Sequence, residues 1–186
     1  FTHIAESPEV RRMPKGHDDE KRALERAAIR EFVKLYNERH DVKLRLLYQH
    51  DRPDAVLQTS RGGKLGLEIT HLFYDAAEAK ALLGRPDGSQ AGTMTLAHLI
   101  AQLNELIKRK ESKKQAYDPA YPISLLIRNA SPTFRLSEIW AEREHIHKPN
   151  DVFIDTWFLT RDGSPDWKLV NLDDLREIGS GSSGGG

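Results

Sequence analysis

The spacing of apolar residues changes from a helical period to a near-alternating one at Val42, and returns to helical spacing near Leu96. A first helix over 18–38 begins near His17 or Asp18, where Asp18, Asp19 and Glu20 suit a helix N-terminus. Stepping roughly 100° per residue from Leu24 sets Ala28, Ile29, Phe32, Leu35 and Tyr36 on one continuous stripe. Strands are predicted over 42–48, over 54–59 after Pro53, and over 65–70. The third alternates cleanly, with Leu65, Leu67 and Ile69 on one face and Gly66, Glu68 and Thr70 on a polar one. Between the second and third strands, Gly62 and Gly63 mark a hairpin turn.

Further on, a loop with Gly84, Pro86, Gly88 and Gly92 leads to a second helix over 94–116, capped by Thr93 or Thr95. Leu96, Leu99, Ile100, Leu103, Leu106 and Ile107 form its core stripe. A buried strand over 123–127, a shorter helix over 134–145, a central strand over 152–159 and an edge strand over 167–172 complete the pattern. The order α-β-β-β-α-β-α-β predicts an α/β fold, a mixed central sheet flanked by helices.

Composition narrows the function. The 186 residues make one domain, expected over 17–178. An irregular arm precedes it over 1–16, and the Gly/Ser run over 179–186 reads as a flexible linker or cloning scar. The absence of cysteine excludes a disulfide scaffold, a thiol nucleophile and a cysteine-type zinc site. No apolar run approaches the roughly 20 residues needed to cross a bilayer, and no signal peptide is visible, so a cytoplasmic protein without membrane partners is expected. Equal numbers of basic and acidic residues, 28 of each, argue against bulk coating of nucleic acid and leave room for a local basic grip.

Several chemistries drop out on inspection. The chain has no GxSxG, P-loop or HExxH. Gly62-Gly63-Lys64 lacks the Walker spacing, and His145-x-His147 lies in a polar stretch suited to solvated histidines. What stands out is Pro53-Asp54, thirteen residues, then Glu68-Ile69-Thr70. A hairpin sets the start of one strand beside the end of the next, so Asp54 and Glu68 share one end, and two such carboxylates can hold a divalent cation. Glu25 lies in the middle of the first helix's apolar stripe, where an acid is costly unless it meets a cation or a hydrogen bond. The second helix's stripe turns cationic at Lys110 and Lys114. That suits either a helix C-terminus or a grip on phosphate.

With these residues in place the chain resembles the PD-(D/E)XK nuclease superfamily, from about Asp18 to Leu159. The resemblance implies a restriction-endonuclease-like αβββαβ core. It implies Asp54 and Glu68 as ligands of Mg²⁺ (or Mn²⁺), joined by the backbone carbonyl of Ile69. It also implies that Glu25 orients the site or adds a second ligand. In one respect the chain departs from the pattern: the motif's lysine position is Thr70. Lys110, and after it Lys114, is the candidate to supply that charge from another element.

The expected function is a Mg²⁺-dependent endonuclease or other phosphodiesterase acting on nucleic acid, DNA ahead of RNA, in defence or repair. Catalytic roles fall to Glu25, Asp54, Glu68, Thr70 and Lys110, and phosphate contacts to Lys108, Arg109, Lys113 and Lys114. The alternative is a catalytically inactive nuclease-like domain that binds nucleic acid or a protein partner, as a homodimer or within a larger assembly.

Overall fold

The structure, a computed structural model, describes residues 17–72, 95–129, 134–149 and 151–174. The N-terminal arm, the glycine-rich stretch with Thr93, and the C-terminal linker lie outside the described residues.

Helix α1 (His17–Arg39) precedes strands β1 (Leu44–Gln49), β2 (Ala55–Thr59) and β3 (Lys64–Leu72). Helix α2 (Leu96–Glu111) is followed by β4 (Ile123–Asn129), α3 (Leu136–Ala141), β5 (Thr156–Arg161) and β6 (Trp167–Asn171). The six strands form one open sheet in chain order. β1, β2 and β3 run antiparallel, β3 to β4 and β4 to β5 are parallel, and β6 closes antiparallel on β5. An α/β architecture with a mixed sheet and flanking helices is therefore present.

Each face of the sheet carries its own core. On one, Ala28, Ile29 and Phe32 of α1 pack against Leu57, Leu67, Leu126 and Trp157. On the other, Leu99, Ile100, Leu103 and Ile107 of α2 pack with Ile139 against Leu125, Ile127 and Phe158. This double cover corrects the expectation of a polar face on β3. Gly66, Glu68 and Thr70 do alternate with the apolar residues, but α2 covers their side and all three are buried.

Boundaries shift where local chemistry intervenes. On α1 the buried stripe centres on Ile29 and Phe32, so Leu24, at its margin, is 41% exposed while Glu25 is buried. Thr95 is the cap of α2, its hydroxyl accepting from the His98 N–H at 3.1 Å, a contact worth about 1 kcal/mol. The helix ends five residues short of the expected 116: Ser112 makes the last i to i−4 bond, to the Lys108 carbonyl, its hydroxyl donates to the Arg109 carbonyl, and the chain tightens into a 3₁₀ turn at Lys114–Ala116. The third helix is one short turn and a bit, followed by a 3₁₀ turn at Arg143–His145. β5 starts at Thr156 rather than at 152. Asp151 takes a left-handed φ of 57°, and the following residues bend, burying Phe153 and leaving Ile154 59% exposed.

Candidate active site

The β2–β3 hairpin builds the centre. Its turn uses Gly62 at φ 93°, a conformation that favours glycine. The register pairs Ala55 with Leu67. Continuing it by one residue sets Asp54 beside Glu68, on the face that α2 covers. Gly66 keeps the approach tight: a Cβ there would meet Pro53 Cγ at 2.9 Å, with Ile123 and Tyr121 atoms at 3.1 Å. The glycine thus lets the residue before Asp54 close onto the strand that carries Glu68.

β2 starts one residue after Asp54, so the β2-side edge of β3 is taken over by a side chain. The Ile69 N–H donates to Asp54 Oδ2 at 2.8 Å. A strand residue sends its N–H and C=O to the same side, so the Ile69 carbonyl faces the Asp54 side as well. The Glu68 carboxyl is the neighbour that acts on Asp54 most strongly. Burial pushes the Asp54 carboxyl up to about 7, reinforced by Glu68, while the Ile69 N–H and Lys110 pull it down. Two desolvated neighbouring carboxylates need either a proton or added positive charge.

Lys110 brings part of that charge. Its Nζ lies 3.2 Å from Glu68 Oε1, with the lysine side chain 16% and the glutamate 4% exposed. Tyr117, downstream of α2, donates its hydroxyl to the Lys110 carbonyl at 3.1 Å. Burial and the neighbouring Glu68 hold the Tyr117 phenol well above its ordinary range. Thr70 is buried on the same face of β3 and carries no charge.

Glu25 comes from α1 and is 4% exposed. Its carboxyl is raised by burial and then by the charge of Asp54, and Lys21 stands 3.8 Å away one helical turn back. A small cavity of about 150 Å³ separates α1 from Asp54, lined by Lys21, Arg22, Glu25, His50, Asp51 and Asp54. Among the described residues no three Asp, Glu or His side chains gather as a metal-binding group. The residues that could hold a cation are the Asp54–Glu68 pair with the Ile69 carbonyl, and Glu25 interacts with Asp54 by charge. That set fits Mg²⁺, which takes one or two carboxylates and keeps most of its waters, better than an all-protein cage.

A larger cleft of about 640 Å³ opens beside Thr70, between the end of β3 and α2. Lys21, Arg109, Lys110 and Lys113 line it. Lys113 is held below its usual value, first by Lys110 and then by burial, as expected where cations crowd. Lys108 is exposed and is not among the residues lining the cleft. Lys114, expected on the helix stripe, starts a 3₁₀ turn outside the helix and is exposed, so of the two lysines it is Lys110 that reaches Glu68. His147 is not a solvated histidine: its Nε2 lies 2.9 Å from Glu111 Oε2 and its N–H is bonded to Asn104.

Sequence reasoning missed Lys21, His71 and Tyr117. Lys21 carried a signal, standing one turn before Glu25. His71 lines the cleft and is lowered to about 4 by burial and Arg128, which leaves it neutral at pH 7. Nothing in the spacing of Tyr117 pointed to the site. Comparison of the chain with protein-family models, with curated proteins and with solved structures finds no match.

Proposed function

We propose that this protein is a metal-dependent nuclease of the PD-(D/E)XK kind, hydrolysing phosphodiester bonds of DNA. The observation that carries the reading is the cluster of Asp54, Glu68 and Lys110, two buried carboxylates that raise the demand for positive charge and an ammonium 3.2 Å from one of them. Hydrolysis forms a P–O bond from water, breaks the bond to the leaving sugar oxygen, and builds negative charge on the phosphoryl group. Asp54 and Glu68, with the Ile69 carbonyl, would hold Mg²⁺ or Mn²⁺. The cation would supply a bound water of lowered pKa and neutralise phosphate charge.

Lys110 offers a fixed, half-buried cation to the developing charge beside the buried Glu68, where partial desolvation strengthens such a group. Thr70 can orient a water through its hydroxyl. Glu25 adds negative potential on the α1 side, strengthening the demand for a cation at Asp54. Arg109 and Lys113 flank Lys110 along the cleft and suit the phosphates on either side of the one attacked. The test is a divalent-metal screen on single- and double-stranded DNA and RNA, with Asp54→Asn as control. Metal-dependent cutting lost in the variant supports the reading, and no cutting under any metal sinks it.

One observation favours a second reading, an inactive domain that binds nucleic acid. The Lys110 ammonium already partners Glu68, so that carboxylate is satisfied with no metal at all. Such a binder keeps its affinity in the double variant Asp54→Asn, Glu68→Gln and never cleaves.

A further inference from the structure

The 640 Å³ cleft has walls that a grip on phosphate alone does not need. Four lining residues are cationic, Lys21, Arg109, Lys110 and Lys113, against one acid, Glu105. Beside the polar Thr70 and Gln102, the lining also offers apolar and flat faces: Leu72, Ala101 and Leu106, with the imidazoles of His71 and His98. Cations and apolar or ring faces lining one cleft are the two ingredients of single-strand recognition, where the backbone follows positive charge and a base rests on a flat surface. The volume falls within the roughly 300–1,000 Å³ of sites that enclose a small organic ligand, enough for a base and its sugar. A B-form duplex, whose major groove alone is about 12 Å wide, stays outside such a space.

We propose that this cleft takes a nucleobase unstacked from its strand, next to the phosphate at Lys110, so that the preferred substrate is a single strand, a frayed end or an overhang rather than intact duplex. The position of the attacked phosphate rests on the nuclease reading above. The preference for unpaired bases is a binding property and is measured without cleavage. A base drawn from a duplex must first be unpaired and unstacked, which costs free energy. A single strand escapes most of that cost. Hence the same cleft discriminates by strand state without reading sequence.

The experiment uses fluorescein-labelled oligo-dT of about 20 nucleotides, alone or annealed to oligo-dA, with the whole protein in EDTA so that nothing is cut. Fluorescence anisotropy is expected to show the single strand bound about tenfold or more tighter than the duplex. Ala101→Trp, which fills the cleft from the exposed side of α2, is expected to bring the single-strand Kd to the duplex value. Circular dichroism checks that this variant folds. Independently of it, Lys113→Ala should flatten the dependence of log Kd on log salt by about 0.7 for the single strand. A 2-aminopurine placed in the wild-type ligand should brighten on binding as it leaves its stack.

Equal or tighter binding of duplex, no measurable binding of either form, no brightening, or a strand preference that survives in folded Ala101→Trp would each overturn the proposal. Single-strand preference in a protein that cuts nothing under any metal supports the cleft assignment and overturns only the nuclease reading.

Discussion

The Lys110 ammonium lies 3.2 Å from Glu68 Oε1, joining the last turn of α2 to the centre of β3 across 42 residues of sequence. A lysine in the last turn of a helix ordinarily faces its own exposed carbonyls and solvent. Here the α2 stripe that buries Leu103 and Ile107 continues one turn further and delivers Lys110 onto the sheet. Thr70 carries no charge, and the cation beside Glu68 is brought by a different element, α2.

Replacing Lys110 separates electrostatic from structural roles. Lys110→Ala should cut turnover at saturation by about 10²-fold or more, the scale for one lost preorganised charge. Weakened DNA binding with normal turnover would instead make Lys110 a phosphate grip. The fold should survive, because a proton shared by Asp54 and Glu68 can stand in for the ammonium. Loss of stability relative to wild type should therefore be larger at pH 8 than at pH 5, as urea titrations would show.

Asp54 gives a pH signature in the metal-free protein. Its folded pKa, about 7, is raised above the ordinary 3.8. The folded state thus holds a proton that the unfolded chain has released. This contribution to stability is full below pH 3.8 and is lost as pH rises through about 7. Asp54→Asn keeps an oxygen for the Ile69 N–H and removes the titration. In EDTA the variant should gain on wild type in melting temperature between pH 5 and pH 8, and Mg²⁺ should raise the wild type alone at pH 8. Parallel pH profiles for the two proteins would sink the assignment of a strained acid pair.

Gly66 sets the spacing of the hairpin that carries both acids. In Gly66→Ala the new methyl would crowd Pro53, Ile123 and Tyr121, and backbone or rings must yield. Overpacking of this kind costs about 1–3 kcal/mol. Because Pro53 adjoins Asp54, weaker Mg²⁺ affinity should accompany the lower midpoint. An isothermal titration showing unchanged metal binding in a destabilised variant would confine the glycine to a packing role.

Much of this site was legible in the residues themselves. Period-2 alternation placed Glu68 and Thr70 opposite Leu67 and Ile69, and a helical stripe aimed Lys110 toward the sheet. What was not legible is which surface covers which. The alternation on β3 reads as one wet face, yet β3 is an inner strand and α2 lies over the polar side. No residue of α2 carries that address. Similarly, the run from Val152 to Leu159 is apolar enough for a strand throughout, but the chain turns at Asp151, its first backbone bonds to β4 come at Ile154 and Asp155, and β5 begins only at Thr156. The end of α2 was lost for a local reason: the lysines around Ser112 themselves suit a helix, and the tightening from α to 3₁₀ geometry before Lys114 is invisible to periodicity.

Tyr117 shows how the lysine is held, and Tyr117→Phe isolates that function. The hydroxyl anchors the carbonyl of Lys110 at 3.1 Å just after α2 has ended, while the ring packs 6.0 Å from that of Phe153. Phenylalanine keeps the ring and its contacts and loses only the donor, so the stability cost should be that of one hydrogen bond, about 1 kcal/mol. The hydroxyl also interacts with Glu68, and its removal takes a polar neighbour from the buried acid pair. Both changes loosen the placement of the ammonium without removing it. Turnover should therefore fall by about tenfold, less than in Lys110→Ala, since a displaced charge retains part of its effect. KM should stay near the wild-type value, because Arg109 and Lys113 still flank the cleft. In the double variant Tyr117→Phe, Lys110→Ala the tyrosine change should add almost nothing, as expected when one residue acts through the other. Full additivity in that cycle would show that Tyr117 serves the site independently of Lys110.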